Sequence, residues 1–305
     1  MAPITKVNLA GVTLKNPVLT ASGTFGSGME FSQFVDLNKL GGVVTKGVSV
    51  VPWEGNPTPR VMETASGMLN AIGLQNPGLD VFLERDLPFL SKFDTKKIVN
   101  VCGHTTEEYV KAVEILSESS ADILEINISC PNVKAGGITF GTVPKMAEEI
   151  TKAVKKAAGK KPVFMKLSPN VTDITEIARA VEAGGADGIS LINTLLGMKI
   201  DIRRRSFALA NRTGGLSGPA IKPVAVRMVY QVANAVKLPL IGMGGIASAE
   251  DAIEFLMAGA TAVSVGTANF KNPKVTEEIV AGIESFLAEQ KIADINEIIG
   301  CVRQL

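Results

Sequence analysis

The sequence predicts a (β/α)8 barrel of the TIM type, in the α/β class, from three features. Segments rich in Val, Ile and Leu alternate with amphipathic stretches along the chain. Eight of the former can be counted, and no linker, repeat or shift in composition divides the 305 residues. A barrel of about 250 residues with extended loops fills that length as one domain, 1–305. Strands are expected at 17–23, 42–49, 97–103, 121–129, 161–168, 187–194, 239–244 and 261–267, with Gly, Pro, Ser or Asn usually close to the end.

The intervening stretches carry helical spacing. Over 172–183 the apolar stripe is Ile174, Ile177, Ala178 and Val181. Over 248–259 it is Ile253, Leu256, Met257 and then Ala260, with Ser248 as cap and Asp251 at the third helical position. Residues 5–16 read as a short hairpin ahead of the barrel, covering its bottom. The segments 52–77 and 195–218 are too long for plain connections, and loops of that length are often functional.

Composition narrows the partners. A 46% hydrophobic fraction fills a large core and excludes disorder. A net charge of +1 gives no electrostatic reason to expect nucleic acid or an anionic membrane. The single histidine, His104, excludes a multi-histidine metal site; with Thr105 and Glu108 it reads as a helix start. Three widely spaced cysteines without C-x-x-C form no disulfide frame. With no leader and no apolar run of membrane length, a cytoplasmic chain with reduced thiols is expected.

Polar residues on the strands point to a ligand. Side chains alternate faces, so Glu125, Asn127 and Ser129 share one face of the fourth strand and Leu124, Ile126 and Ile128 the other. The helix-facing side must be apolar, which turns Asn127 inward; the same reasoning turns Lys166 inward, with Met165 and Leu167 against helices. Lys46, Asn100 and Asn193 are similar candidates by their place near strand ends. Buried amines and amides are costly unless a partner meets them, and five of them at the carboxyl end imply an anionic, hydrogen-bonding ligand. Gly242–Gly245 and Val265–Thr267 end the last two strands as phosphate-type turns, where bare backbone approaches an anion. The match of 242–247 to a dinucleotide fingerprint is set aside, because no acidic residue ends the next strand. Cys130 stands just past a strand end, before Pro131 and a glycine-bearing loop, where a thiol can act as base or nucleophile. Together these residues describe a barrel enzyme that takes a phosphate-bearing ligand and a small polar anion. They do not by themselves specify redox chemistry.

Several long motifs, in order, resemble the dihydroorotate dehydrogenases: NPVLTASGTFG (16–26), VVTKGVS (43–49), GNPTPRVMETASGMLNAIGLQNPG (55–78), EINISCPNV (125–133), MKLSPN (165–170), INTLLGM (192–198), GGLSGPAIKP (214–223), GMGGI (242–246) and SVGTA (264–268). Within that family the chain resembles the catalytic subunit of the NAD-linked, two-subunit type (class 1B). Cys130 in place of a serine speaks against the membrane-bound, quinone-linked class. The resemblance implies oxidation of (S)-dihydroorotate to orotate in pyrimidine (UMP) biosynthesis, with FMN in this chain and Cys130 as general base. It implies an FMN site at Ser22, Lys46, Gly47, Asn100, Asn127, Lys166, Ile192, Gly218, Gly244, Gly245, Gly266 and Thr267. The implied substrate site is Lys46, Asn70, Ala71, Ile72, Gly73, Leu74, Asn127, Asn193 and Thr194. It further implies a heterotetramer of two such chains with two electron-transfer subunits carrying FAD and a 2Fe–2S cluster, through which electrons reach NAD. A fumarate-linked or dihydropyrimidine-type flavin barrel, or a non-redox phosphate-binding barrel, are the alternatives. Arg203–Arg205 is either an interface feature or a solvated charge run.

Overall fold

Eight short parallel strands close on themselves in a computed structural model that describes residues 2–129 and 137–304. In chain order they are β1 (Val18–Thr20), β2 (Gly42–Val44), β3 (Lys96–Val101), β4 (Ile123–Asn127), β5 (Val163–Lys166), β6 (Gly188–Leu191), β7 (Leu240–Met243) and β8 (Ala262–Val265). Each pairs with its sequence neighbours, and β8 returns to β1. Every residue of β4 to β8 is buried, as expected of strands covered on both faces. All eight fall inside the segments expected from sequence or overlap them, but they are shorter. The surplus residues at their carboxyl ends leave the barrel and build the site.

Helices follow the last six strands: α1 (Thr106–Ser117), α2 (Pro144–Ala158), α3 (Ile174–Ala183), α4 (Lys222–Ala235), α5 (Ala249–Ala258) and α6 (Val275–Glu289). The stripe Ile174, Ile177, Ala178 and Val181 is buried. Ser248 and Asp251 form a reciprocal capping box on α5. At α1, Thr105 accepts from the Glu108 amide as expected, whereas the Glu108 carboxylate reaches one residue further back, to the His104 amide. The His104 ring stacks on Trp53 at 4.0 Å.

The first two crossovers differ from the regular pattern. After β1 the chain forms only single 3-10 turns at Phe31–Gln33 and Leu37–Lys39; after β2 it forms an irregular helical run from Leu79 to Leu90. Their apolar residues do not form one helical stripe. Phe25, Val35, Leu37 and Leu40 pack instead as a satellite cluster with Val43 and Leu90. The amino-terminal hairpin is present, pairing Val7–Leu9 with Val12–Leu14 just ahead of β1, and Leu9 and Leu14 are fully buried in the barrel's main core.

The two long segments pair with each other. Leu195–Met198, Thr213–Ser217, Gly67–Asn70 and Val61–Thr64 make a four-stranded antiparallel sheet in that order. Arg203–Arg205 sits on the turn of a small exposed hairpin beyond it, with the Arg203 and Arg204 amides donating to Asp201.

Inside the barrel, register places Phe164 of β5 between Glu125 of β4 and Gly188 of β6. A Cβ on Gly188 would lie 2.2 Å from the Phe164 ring, so the absent side chain makes room for the aromatic one. Phe164→Ala is therefore expected to cost about 3–5 kcal/mol of stability, the usual range for a buried Phe. Urea unfolding checks it, and a loss below about 1 kcal/mol would mean the interior does not depend on that ring.

Candidate active site

Strand alternation delivers the polar set expected from sequence. Asn127 and Lys166 are register partners on β4 and β5; both are at least nine-tenths buried, and both face a cavity of about 970 Å³ at the carboxyl ends of the strands. The antiparallel sheet forms the outer wall through Val61, Glu63, Gly67, Met68, Asn70 and Ser217. The barrel contributes the floor. Lysines 46, 166 and 271 line the space against a single acid, Glu63, among the described residues, so the cavity favours anions.

The polar groups of the floor are connected. Asn193 Nδ2 donates to Ser129 Oγ at 2.7 Å, Ser129 Oγ donates to Asn127 Oδ1 at 3.1 Å, and Asn127 Nδ2 donates to Asn100 Oδ1 at 3.4 Å. Asn100 Nδ2 donates in turn to Glu125 Oε2 at 2.5 Å. The backbone beneath is held from outside: the Tyr109 hydroxyl of α1 donates to the Asn127 carbonyl at 2.6 Å. Asn170, just past β5, donates to the Thr194 carbonyl and accepts from the Leu196 amide, which fixes the exit of β6.

The 70–78 segment is fixed by buried amides. Asn76 Oδ1 accepts from the Ser49 and Gly78 amides while its Nδ2 donates to the Leu74 carbonyl. The half-buried Asn56 Nδ2 donates to the Ala71 carbonyl at 3.0 Å. Leu74 takes φ 55°, a left-handed conformation that a branched residue adopts only when its surroundings impose it, and its side lines the cavity.

The glycine turns meet at the other end. Gly244 and Gly245 follow β7, Gly266 and Thr267 follow β8, and Gly218 follows the sheet; all five line the cavity. Thr267 Oγ1 donates to Ser217 Oγ at 2.8 Å, joining the β8 turn to the sheet. Gly245 has φ 86°, and a Cβ there would come within 2.9 Å of the Gly218 carbonyl and 2.8 Å of Lys222 Cβ. Lys222 at the start of α4 binds Asp251 and Glu254 of α5 at 2.7 Å, and these hydrogen bonds raise its ammonium above the ordinary lysine range. Burial pushes the Asp251 carboxyl up, but hydrogen bonds from Lys222 and the Ala247 and Ser248 amides leave it below the usual range. The turn is thus braced from behind by two helices, with open cavity in front.

Of the residues expected at the site, Ser22, Lys46, Asn70, Ile72, Gly73, Leu74, Asn127, Lys166, Ile192, Asn193, Thr194 and the five turn residues line this one cavity. Three stand behind its wall. Asn100 is fully buried under the floor, and a Cβ on Gly47 would lie 2.7 Å from its Oδ1. Ala71 is buried in a small cluster with Leu69 and Leu209. Cys130 lies outside the described residues. The structure adds Thr24, Met68, Ser217, Met243 and Ser264 to the wall; of these, only inward parity on the strand could have indicated Ser264. Among the described residues no cluster of His, Cys, Asp and Glu is placed to hold a metal ion, and no helix is long and apolar enough to cross a membrane.

Comparison with known proteins bears on this arrangement. The family model described as dihydroorotate dehydrogenase matches residues 4–287. A protein of Lachnoclostridium phytofermentans named as the catalytic subunit of dihydroorotate dehydrogenase B (NAD(+)) is 69% identical, over 98% of this chain and 99% of its own. One of the same name from Alkaliphilus oremlandii is 64% identical, over 96% and 97%. Among solved structures, a crystal structure of DHODH from Eimeria tenella in complex with ferulenol superposes with a TM-score of 0.84 at 24% identity. The match covers 99% of this chain and 89% of that one, and confirms the fold.

The braced turn makes a specific prediction. Gly245→Ala is expected to cost about 1–3 kcal/mol, from left-handed backbone strain added to the contact with Gly218. Thermal unfolding of the variant measures it, and an unchanged midpoint would show that the turn is not held as described.

Proposed function

The chain belongs to the dihydroorotate dehydrogenase family, and from that membership we propose that it is the catalytic subunit of an NAD-linked enzyme that oxidises (S)-dihydroorotate to orotate in pyrimidine (UMP) biosynthesis. The observation that carries this reading is the convergence, in one cavity, of inward lysines and asparagines with a cluster of glycine turns. The asparagines suit the imide and carboxylate edges of a flat acidic heterocycle, and Lys46 meets its charge.

The donor set fits FMN. Gly244, Gly245, Gly266 and Thr267 would hold its phosphate; a Cβ added at Gly266 would meet Ala21 at 3.5 Å, an ordinary contact, on the side where the residue lines the cavity. Ser22, Asn127, Lys166, Ile192 and Gly218 would border the ring system; Gly47 and Asn100 would act from behind the wall. When bound, FMN supplies a two-electron acceptor for the hydride from C6 of the substrate. Cys130 as thiolate would take the proton from C5, so that the C5–C6 double bond forms as both hydrogens leave. Asn70, Asn127, Asn193 and Thr194, with the 71–74 backbone, would hold the heterocycle in place. Lys166 would stabilise negative charge on the reduced ring.

Electrons then need an exit. The names of the relatives, NAD-linked and "catalytic subunit", support a partner subunit; by the family resemblance that partner would bear FAD and a 2Fe–2S cluster, in a cytoplasmic heterotetramer of two plus two. In this reading the whole chain is one FMN-binding barrel domain.

Anaerobic addition of dihydroorotate to the FMN-loaded protein tests the proposal. The flavin colour should bleach, and return with NAD plus the second subunit but not with fumarate. A flavin that stays oxidised in dihydroorotate contradicts it. Cys130→Ala should retain FMN and lose turnover by about 10²-fold or more, the scale of a lost general base. Near-normal turnover would remove the thiol from the reaction. Lys166→Ala should weaken FMN retention or slow flavin reduction, measured by flavin content and stopped-flow absorbance; no change in either would displace that residue.

A further inference from the structure

Beneath the cavity floor lies an acid that no step above uses. Glu125, two residues before Asn127 on β4, is fully buried and does not line the cavity. Its Oε2 accepts from Asn100 at 2.5 Å and stands 3.6 Å from Lys166 Nζ, while its Oε1 has no hydrogen-bond partner among the described residues. Lys166, only 5% exposed, is the cation between this carboxylate and the cavity. Its register neighbour on β6, Ser190, also buries a hydroxyl without a hydrogen-bond partner among the described residues.

Stability does not explain such a group. A buried ion pair is often no more stable than an apolar pair of similar volume, and a carboxylate oxygen left unpaired adds cost. A charge kept in the centre of a barrel at that cost acts on something the barrel holds. The route is short: Glu125 touches Lys166 directly, and reaches Asn127 through Asn100.

We propose that Glu125 is a positioning residue that aims the Lys166 ammonium and offsets part of its charge, and thereby keeps the reduction potential of the bound flavin low. The inference rests on the reading that FMN lies against Lys166. Negative charge gathers on the flavin ring on reduction. A lone ammonium in a low-dielectric floor would stabilise that charge strongly; a carboxylate 3.6 Å behind it weakens the field the ring meets. An enzyme that must send electrons on to NAD gains from that restraint, because a flavin too easily reduced holds them back. Glu125 touches neither substrate nor flavin in this account; its effect passes through Lys166.

The test is a redox titration of the FMN-loaded Glu125→Gln variant, which keeps side-chain shape and an acceptor for Asn100 while removing the charge. At the wild-type midpoint potential, the ratio of reduced to oxidised flavin should rise at least tenfold, about 30 mV for a two-electron couple. Bleaching by dihydroorotate should go at least as far as in the wild type, while transfer onward to NAD through the partner slows. Glu125→Asp, which keeps the charge, should return the ratio to within threefold of wild type. A packing role would not raise the ratio, so a Gln ratio within threefold of wild type, or below it, overturns the inference. If the single Gln variant does not fold, the comparison moves to Lys166→Met, where the carboxylate faces no amine. Because the effect passes through Lys166, adding Glu125→Gln there should leave the ratio within threefold of Lys166→Met alone, and a larger rise overturns the inference equally. A wild-type protein that takes up no FMN would overturn the flavin reading itself, whereas a wild type that binds and bleaches while Glu125→Gln matches it overturns only the role of Glu125.

Discussion

The strict alternation of side chains along eight closed strands is the constraint from which the site follows. An inward residue near the amino ends meets other strands and must pack; an inward residue near the carboxyl ends meets the cavity and can be polar. β4 and β5 show the change within a few residues. Ile123 and Phe164 are apolar, while on the same faces Asn127 and Lys166 form the floor and Glu125 lies just beneath it. A one-residue slip of either strand would turn these groups into the helix layer, where nothing could satisfy them. Register and site are therefore one requirement.

The floor is rigid because its groups hold each other. The run of hydrogen bonds from Asn193 through Ser129, Asn127 and Asn100 to Glu125 leaves the lysine between carboxylate and cavity. Around it, Tyr109, Asn170 and Asn76 tie the strand exits to neighbouring elements. Groups preorganised in this way stabilise a ligand's charge without reorganising when it arrives. The antiparallel sheet then supplies a wall the barrel lacks, so the cavity is bounded by two structural layers with different tasks.

Much of this was legible in the sequence because it is local. Val, Ile and Leu runs marked all eight strands, parity placed Asn127 and Lys166, the Ser248–Asp251 spacing gave a true capping box, and Gly244-Gly245 and Gly266-Thr267 marked the turns after β7 and β8. What escaped depends on distant pairing. Gly67–Asn70 and Thr213–Ser217 read as loops although each has a nearby partner, Val61–Thr64 and Leu195–Met198, because the pairing that joins them into one sheet is between segments far apart in the chain. The 24–40 region lacks a helix because its apolar residues serve a satellite cluster of their own. Asn100, Gly47 and Ala71 carried the right motifs yet stand behind the wall, since a motif records proximity to a site and not which atoms face it. Glu125 shared the inward face of Asn127, but its contact with Lys166 emerges only when β4 and β5 are laid side by side.

The central claim is that the polar floor exists to meet a stacked pair of ligands, a flavin and a flat acidic heterocycle. Thermal unfolding of the apoprotein with FMN, with orotate, and with both tests it most directly, because a ligand that binds only the folded state raises the midpoint by mass action. The account predicts a saturable rise with FMN, and a further rise with orotate only once FMN is bound, since under the proposed reading the ring would form one face of its pocket. No stabilisation by FMN, or an equal response to orotate with and without it, would contradict the account.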